Sequence, residues 1–364
     1  DVKTTQPDGM LLFPFKKTDW QEHGARMVEE AGVPAVVMAT LGVLLIGSVR
    51  EMRHKTGVYM ISAQDDLDAV ERGLKLFKVG RWMKDARIVN LQGSERNTKN
   101  VPHVGTEVLA VPRDRFAEVF NGLGNTDEVD ALHREFLTKA RKIVQPSKED
   151  VRDAAKTYFT LKQIIQEEGG DALMMECLPG LKLPHQHVPP CMGFMKLRDE
   201  GIAMGCESDL DATLTLMLLQ ELFNRPGFQH NPTVDTVKNH YICAHCTSAS
   251  KMNGPGAESE PYELMSHAEA GWGCVPRVLF TPGKEITIAK YLSGETPQLL
   301  LYSGEIIGCP PVPPTGGCRT NLEATINELE DVAELKGHHL CMVYGNHTRE
   351  LKTFCQLYGI EVVT

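Results

Sequence analysis

The chain has 364 residues, 42% of them hydrophobic and 24% charged. That is enough apolar material for a large core and lies far from the composition of disordered chains. Two domains are expected from the length. Thirty-eight Lys and Arg against 48 Asp and Glu give a formal charge of −10, which repels phosphates and argues against a general nucleic-acid or membrane-surface binder.

The chain starts on Asp1 rather than Met, so a segment is expected to have been removed ahead of it. The one long apolar stretch, residues 33–49, is interrupted by Pro34, Gly42, Gly47 and Ser48. It falls short of a membrane span and reads as buried strand material. From about Val33 to Phe223, short β-branched runs (35–39, 58–61, 87–91, 107–111, 172–177 and 202–206) alternate with helical patterns (65–83, 113–123, 129–144, 148–168 and 211–223). Ser147 followed by Asp150 resembles a helix N-cap with an acidic first turn. Such alternation predicts a Rossmann-like α/β domain whose parallel sheet is covered on both faces, with ligands at the carboxyl ends of the strands.

After Pro226 the helical patterns vanish for about a hundred residues. Short strands (241–244, 277–280, 285–291 and 298–302) stand between Gly and Pro turns. A Pro/Gly-rich connection, 304–317, then leads to a strand at 340–343, a helix at 348–357 and a strand at 360–363. The expected division is an α/β domain over 1–227 and a β-rich C-terminal domain over 228–364.

All ten cysteines lie between Cys177 and Cys355. The number is no disulfide framework in so long a chain, and Cys177, Cys206 and Cys243 follow apolar runs where a thiol behaves as a small hydrophobe. Reduced thiols and a cytoplasmic location are expected, with a secreted or periplasmic one as the alternative that the start on Asp1 leaves open. Gly254-Pro-Gly256 and Gly316-Gly317 match neither the dinucleotide nor the P-loop pattern, so no nucleotide cofactor is implied.

The chemistry concentrates at Gly205-Cys-Glu-Ser-Asp209, where an apolar strand ends and an apolar helix begins by Asp211. Ser208 with Asp211 suits a capping pair, and Asp209 suits a cap or a helix-dipole carboxylate. Glu207 has no such structural explanation and reads as functional. Histidines pair at His185/His187, His240/His245 and His338/His339. Oxygen-rich donor sets with histidine suit Mn²⁺ or Mg²⁺. Cys243-Ala-His-Cys246 suggests zinc instead, but a structural zinc site needs a second ligand pair, and Cys309/Cys318 is a poor match.

Gly-Cys-Glu-Ser-Asp before an apolar helix, then Pro-Gly-Phe-Gln, Ala-His-Cys-Thr and Gly337-His-His339 before a terminal helix and strand occur in that order. This order resembles the L-fucose/L-arabinose isomerase superfamily from about residue 160 onward. The resemblance implies a fucose isomerase-like fold and an aldose–ketose isomerase that works through an ene-diol with a divalent ion, most often Mn²⁺. It puts Glu207, Asn231, His245 and His339 at the metal, with Glu207 and Asn231 at the two catalytic carboxylate positions.

Asn231 departs from the family pattern, because an amide carries no charge and accepts no proton near neutral pH. Asp209, His230, Asp235 or Glu176 are the candidates for the second acid/base. Their plain alternatives are a cap, a loop histidine, a turn residue and a solvent-facing carboxylate. Glu176, Asp209 and Arg319 are the candidate substrate-binding residues, Arg319 fitting a surface salt bridge equally well.

The resemblance also implies a homo-oligomer, and an additional N-terminal domain of which residues 1–32 are a remnant. A non-catalytic sugar-binding homologue and a metal-assisted epimerase or lyase are the competing functions.

Overall fold

In the computed structural model, residues 2–64, 66–182, 187–312 and 317–364 are described. Asp65, His185 and Gly316 lie outside them. Strands are numbered β1 to β18, and helices of at least eight residues α1 to α8.

Strands β1 (Met10–Leu12), β2 (Ala35–Thr40) and β3 (Val58–Ala63) form a parallel three-stranded sheet in that order. Residues 35–39 of β2 are all buried, which is why the segment is continuously apolar rather than alternating. Helix α1 (Ile46–Arg53) covers one face, where Met52 packs with Val37, Val58 and Met60. Helix α2 (Leu67–Asp85) covers the other through Ala69 and Val70 against Val36, Met38 and Ile61.

A second sheet is built from β4 (Arg87–Leu91), β5 (Asn97–Asn100), β6 (Glu107–Val111), β8 (Ala172–Met175) and β9 (Ala203–Cys206). Its order is β5-β6-β4-β8-β9, all parallel except the edge strand β5. Strand β7 (Lys142–Ile143) lies outside it. Helices α3 (Asp114–Gly122), α4 (Asp127–Lys139), α5 (Lys148–Glu167) and α6 (Cys191–Asp199) pack on the face carrying Val89, Leu91, Leu109 and Leu173. Helices α2 and α7 (Leu210–Phe223) pack on the opposite face, with Ile88, Val108 and Met174. The two-residue period of the strands thus assigns each apolar side chain to one helical layer. Ser147 and Asp150 form the full capping box of α5.

The C-terminal part is β-rich. Strands β10 (Phe228–Asp235), β11 (His240–His245), β14 (Glu285–Leu292), β15 (Gln298–Gly308), β16 (Thr320–Ala324) and β17 (Leu340–Tyr344) pair in the order β14-β17-β10-β11-β16-β15. The antiparallel β14–β15 ladder closes them into a barrel. Strand β18 (Glu361–Val363), which follows α8 (Thr348–Tyr358), adds to β15 in parallel. Strands β12 (Tyr262–Met265) and β13 (Val275–Val278) form a separate sheet with β7.

Two expectations change. The strands at 35–39 and 58–61 belong to their own sheet rather than to the main parallel one. Helix α6 had no helical signature because eight of its nine residues are buried, so it shows no polar stripe for a period to register. Among the described residues, no helix is long and apolar enough to cross a membrane.

Candidate active site

Strand β9 ends against the first turn of α7 because Gly205 has no side chain. A Cβ there would stand 1.9 Å from Thr213 Oγ1. The chain then turns through two consecutive left-handed residues, Glu207 (φ 58°) and Ser208 (φ 53°), each costing about 1–2 kcal/mol for an L-residue. The surroundings hold this turn in place. Ser208 N–H bonds to the Met175 carbonyl at 3.2 Å, and its hydroxyl donates to Asn90 Oδ1 at 2.7 Å. Gln229 mimics a neighbouring strand, accepting from Cys206 N–H at 2.9 Å and donating to the Cys206 carbonyl at 3.2 Å.

The Glu207 carboxylate faces two histidines from the barrel. Its oxygens stand 3.8 Å from His245 Nε2 and 3.6 Å from His339 Nε2, and the two rings meet edge-on at 5.5 Å. These separations exceed hydrogen bonds. Both Nε2 atoms, together with Asn231 Oδ1, are buried without a hydrogen-bond partner among the described residues. Orphaned buried donors and acceptors are rare in folded proteins and mark places where a ligand completes the set. Burial pushes the Glu207 carboxyl up, against the opposing pull of His339.

Asp209 is more than a cap. One oxygen accepts the Ala212 N–H at 2.9 Å, as the capping alternative predicts. The other accepts from Lys290 Nζ at 2.8 Å and His339 Nδ1 at 3.0 Å. Burial raises this carboxyl, but the bonds from His339, Lys290 and the Ala212 N–H outweigh it and hold it at about 2. An ionised Asp209 makes His339 Nδ1 the hydrogen-bond donor and leaves Nε2 turned toward Glu207, the carboxylate–histidine arrangement found behind metal ligands.

His245 is set differently. Its Nδ1 accepts the Thr247 N–H at 3.2 Å, so the neutral ring carries its proton on Nε2, toward Glu207. Ligation through Nε2 requires that proton to leave and the Thr247 contact to break. Burial, reinforced by His339, holds this imidazole well below its ordinary pKa and therefore neutral.

The other candidates separate from this cluster. Glu176 pairs with Arg113 at 3.1 Å beyond the end of β8. His230 is not a loop residue but a fully buried one on β10, with Nδ1 bonded to the Phe228 carbonyl at 2.9 Å and Nε2 to the Tyr241 hydroxyl at 2.8 Å. Both its nitrogens are occupied and burial pushes it down to about 4, so it carries no proton as the second acid/base. Asp235 binds the Val237 and Lys238 N–H groups of the β10–β11 turn, as its turn alternative predicts. Arg319 donates to the Ser266 carbonyl at 2.8 Å, anchoring a loop rather than making a salt bridge.

Cys243 points into the barrel core, while the free thiols of Cys246 and Cys318 share a hydrogen bond. The donor group assembled among the described residues is instead Cys206, Glu207 and His245. Cys206 also lies 3.7 Å from Cys177, sulfur to sulfur.

Sequence reasoning missed Lys290, whose ammonium also donates to the His338 carbonyl at 2.6 Å. Its signal was a lone charge in the otherwise uncharged run 286–292. It also missed Arg198, fully buried and donating to the carbonyls of Met204 and Thr247.

No family model matches the chain. It is similar to the sulfoquinovose isomerases of Priestia aryabhattai and Priestia megaterium, 25% identical over 229 residues, covering 58% of this chain and 48% of each relative. It is also similar to the sulfoquinovose isomerase of Alkalicoccus urumqiensis, 22% identical over 331 residues, covering 84% of this chain and 71% of that protein. The chain thus spans about half the length of the Priestia relatives.

Proposed function

We propose that the chain is a divalent-metal-dependent aldose–ketose isomerase of the L-fucose/L-arabinose isomerase type. The observation that carries this reading is the approach of Glu207 to His245 and His339, whose Nε2 atoms are buried without a hydrogen-bond partner among the described residues, as is Oδ1 of Asn231, which pairs with Ala244 beside His245 on the neighbouring strand. The similarity to sulfoquinovose isomerases supports a sugar substrate, with sulfoquinovose the first to test. The fold reading follows: a Rossmann-like domain over 1–227 and a barrel domain over 228–364, in a cytoplasmic homo-oligomer.

Glu207, Asn231 and His339 fit a hard divalent ion such as Mn²⁺, offering carboxylate, amide and imidazole donors. His245 joins them once its proton leaves Nε2. Such an ion, when bound, polarises the sugar's carbonyl and neighbouring hydroxyl oxygens. Glu207, raised by burial, takes the proton from one carbon and returns it to the next, while the hydroxyl proton passes between the two sugar oxygens. Asp209, tied by three hydrogen bonds, orients His339 and is not free to carry a proton. Asn231 binds but moves no proton, so the isomerisation runs with one carboxylate at the reacting carbons. The test is metal analysis followed by an aldose–ketose screen with Mn²⁺. Absence of both bound metal and turnover overturns the proposal.

Asn231 also favours a second reading, a sugar-binding homologue without catalysis. One substitution separates the two. In Asn231→Asp, the added negative charge is expected to tighten Mn²⁺ binding about tenfold or more, measured by electron paramagnetic resonance titration. An isomerase is expected to gain turnover as well. A variant that binds Mn²⁺ and sugar but converts no aldose supports the binding homologue.

A further inference from the structure

A second concavity, a groove of about 920 Å³, runs along β3 and shares no residue with the Glu207 cluster. Strand β3 is the outer strand of its sheet and pairs with β2 alone. In a parallel ladder, alternate residues turn their N–H and C=O to the same side. The carbonyls of Gly57 and Ala63 bond toward the β2 side, to Ala35 and Leu41 N–H. Val58, Met60 and Ser62 therefore face outward. Gln356 covers only the first of these, donating to the Val58 carbonyl at 2.7 Å. Among the described residues, no strand pairs with Met60 and Ser62.

The strand itself, Val58–Ala63, is uncharged, but its walls are strongly basic. Arg50 and Arg53 come from α1, Arg349 and Lys352 from α8, and Arg72 from α2. Each helical pair is three residues apart and so shares one face. Arg72 stands 3.6 Å from Asp66, the one acidic residue among the described residues that line the groove. Charges that merely guard a sheet edge usually stand on the edge strand. Here they stand on the flanking helices instead. A second copy of this edge would oppose like charges and is disfavoured, whereas an acidic strand is attracted within a chain that is otherwise negative.

We propose that the free edge of β3 docks an extended acidic segment of a partner protein as an added strand. Its backbone pairs with Met60 and Ser62, and its carboxylates meet Arg50, Arg53, Arg349 and Lys352. Main-chain pairing supplies affinity and charge supplies selectivity, as in other strand-addition interfaces.

The probe is a fluorescein-labelled octapeptide of alternating Glu and Thr, titrated onto the full chain by anisotropy, with a Lys/Thr peptide as control. Binding of the Glu/Thr peptide alone, weakened by salt, is expected. N-methylation of one alternate set of its amides is expected to weaken it about tenfold or more, and of the other set little, because one set faces β3. The surface double variant Arg50→Glu/Arg53→Glu, with an unchanged circular dichroism spectrum, is expected to lose a similar factor. Failure of the peptide to bind means that the cations only guard the edge and overturns the proposal. Binding indifferent to either methylation pattern and displaced by pyrophosphate marks a plain anion site and overturns it equally.

Discussion

Glu207→Gln is expected to lower isomerase turnover by about 10³-fold or more while leaving the fold intact. The amide is isosteric, so the left-handed turn at 207 and 208 and its bonds to Met175 and Asn90 persist. What disappears is the one carboxylate within 4 Å of both orphaned histidine nitrogens. With Asn231 at the second position, Asp209 does not take over, since it is committed to Lys290, His339 and the α7 cap. Steady-state kinetics on the first aldose that turns over, with Mn²⁺ binding measured in parallel, checks this. Turnover that survives the substitution removes Glu207 from the chemistry and, with it, the proposed site.

The second large effect is on stability. Arg198 is fully buried, and its guanidinium, which burial pushes down to about 10, stays charged at neutral pH. It donates to the Met204 carbonyl at 3.0 Å and the Thr247 carbonyl at 3.0 Å, and reaches Gln229 Oε1. It therefore ties β9 to the loop after β11, the two segments that present Glu207 and His245. Arg198→Met fills similar space but leaves two buried carbonyls without their donor. The expected cost is about 3–5 kcal/mol, read as a lower midpoint in urea denaturation followed by circular dichroism. Arg198→Lys is expected to recover only part of the loss, because a single ammonium does not reproduce the fork that spans both carbonyls. A midpoint unchanged in the Met variant would show that water or a neighbouring group satisfies those carbonyls.

Parts of the molecule were legible from the chain alone. Strands β4 and β6 coincide with the predicted runs at 87–91 and 107–111, because short apolar segments between polar turns have few other ways to bury themselves. The caps at Ser147 and Asp209 follow from local hydrogen-bonding chemistry that needs no distant partner, whereas the expected Ser208–Asp211 pair does not form, because Ser208 Oγ donates to Asn90 and Asp211 accepts from Ser293. Strand β10 was invisible, since Phe228–Asp235 contains Pro232 and only its first three residues are buried. The barrel was unreadable for a related reason: its closure rests on which strands meet, and no local pattern encodes that the β14–β15 ladder completes a ring.

The same division runs through the site. By itself the sequence determined that Glu207 stands at a strand's end before a capped helix, and that histidines and carboxylates are numerous enough for a metal-binding or proton-transfer centre. Only the tertiary structure decided which of them meet. It joined Asp209 to His339 across 130 residues and to Lys290 across 81, turning an ordinary helix cap into the group that sets a histidine's tautomer. It sent His230 into the core and bound Arg319 to a loop carbonyl. Local chemistry is fixed by neighbours in the chain, whereas protonation and ligand geometry depend on register and burial between segments that the chain brings together last.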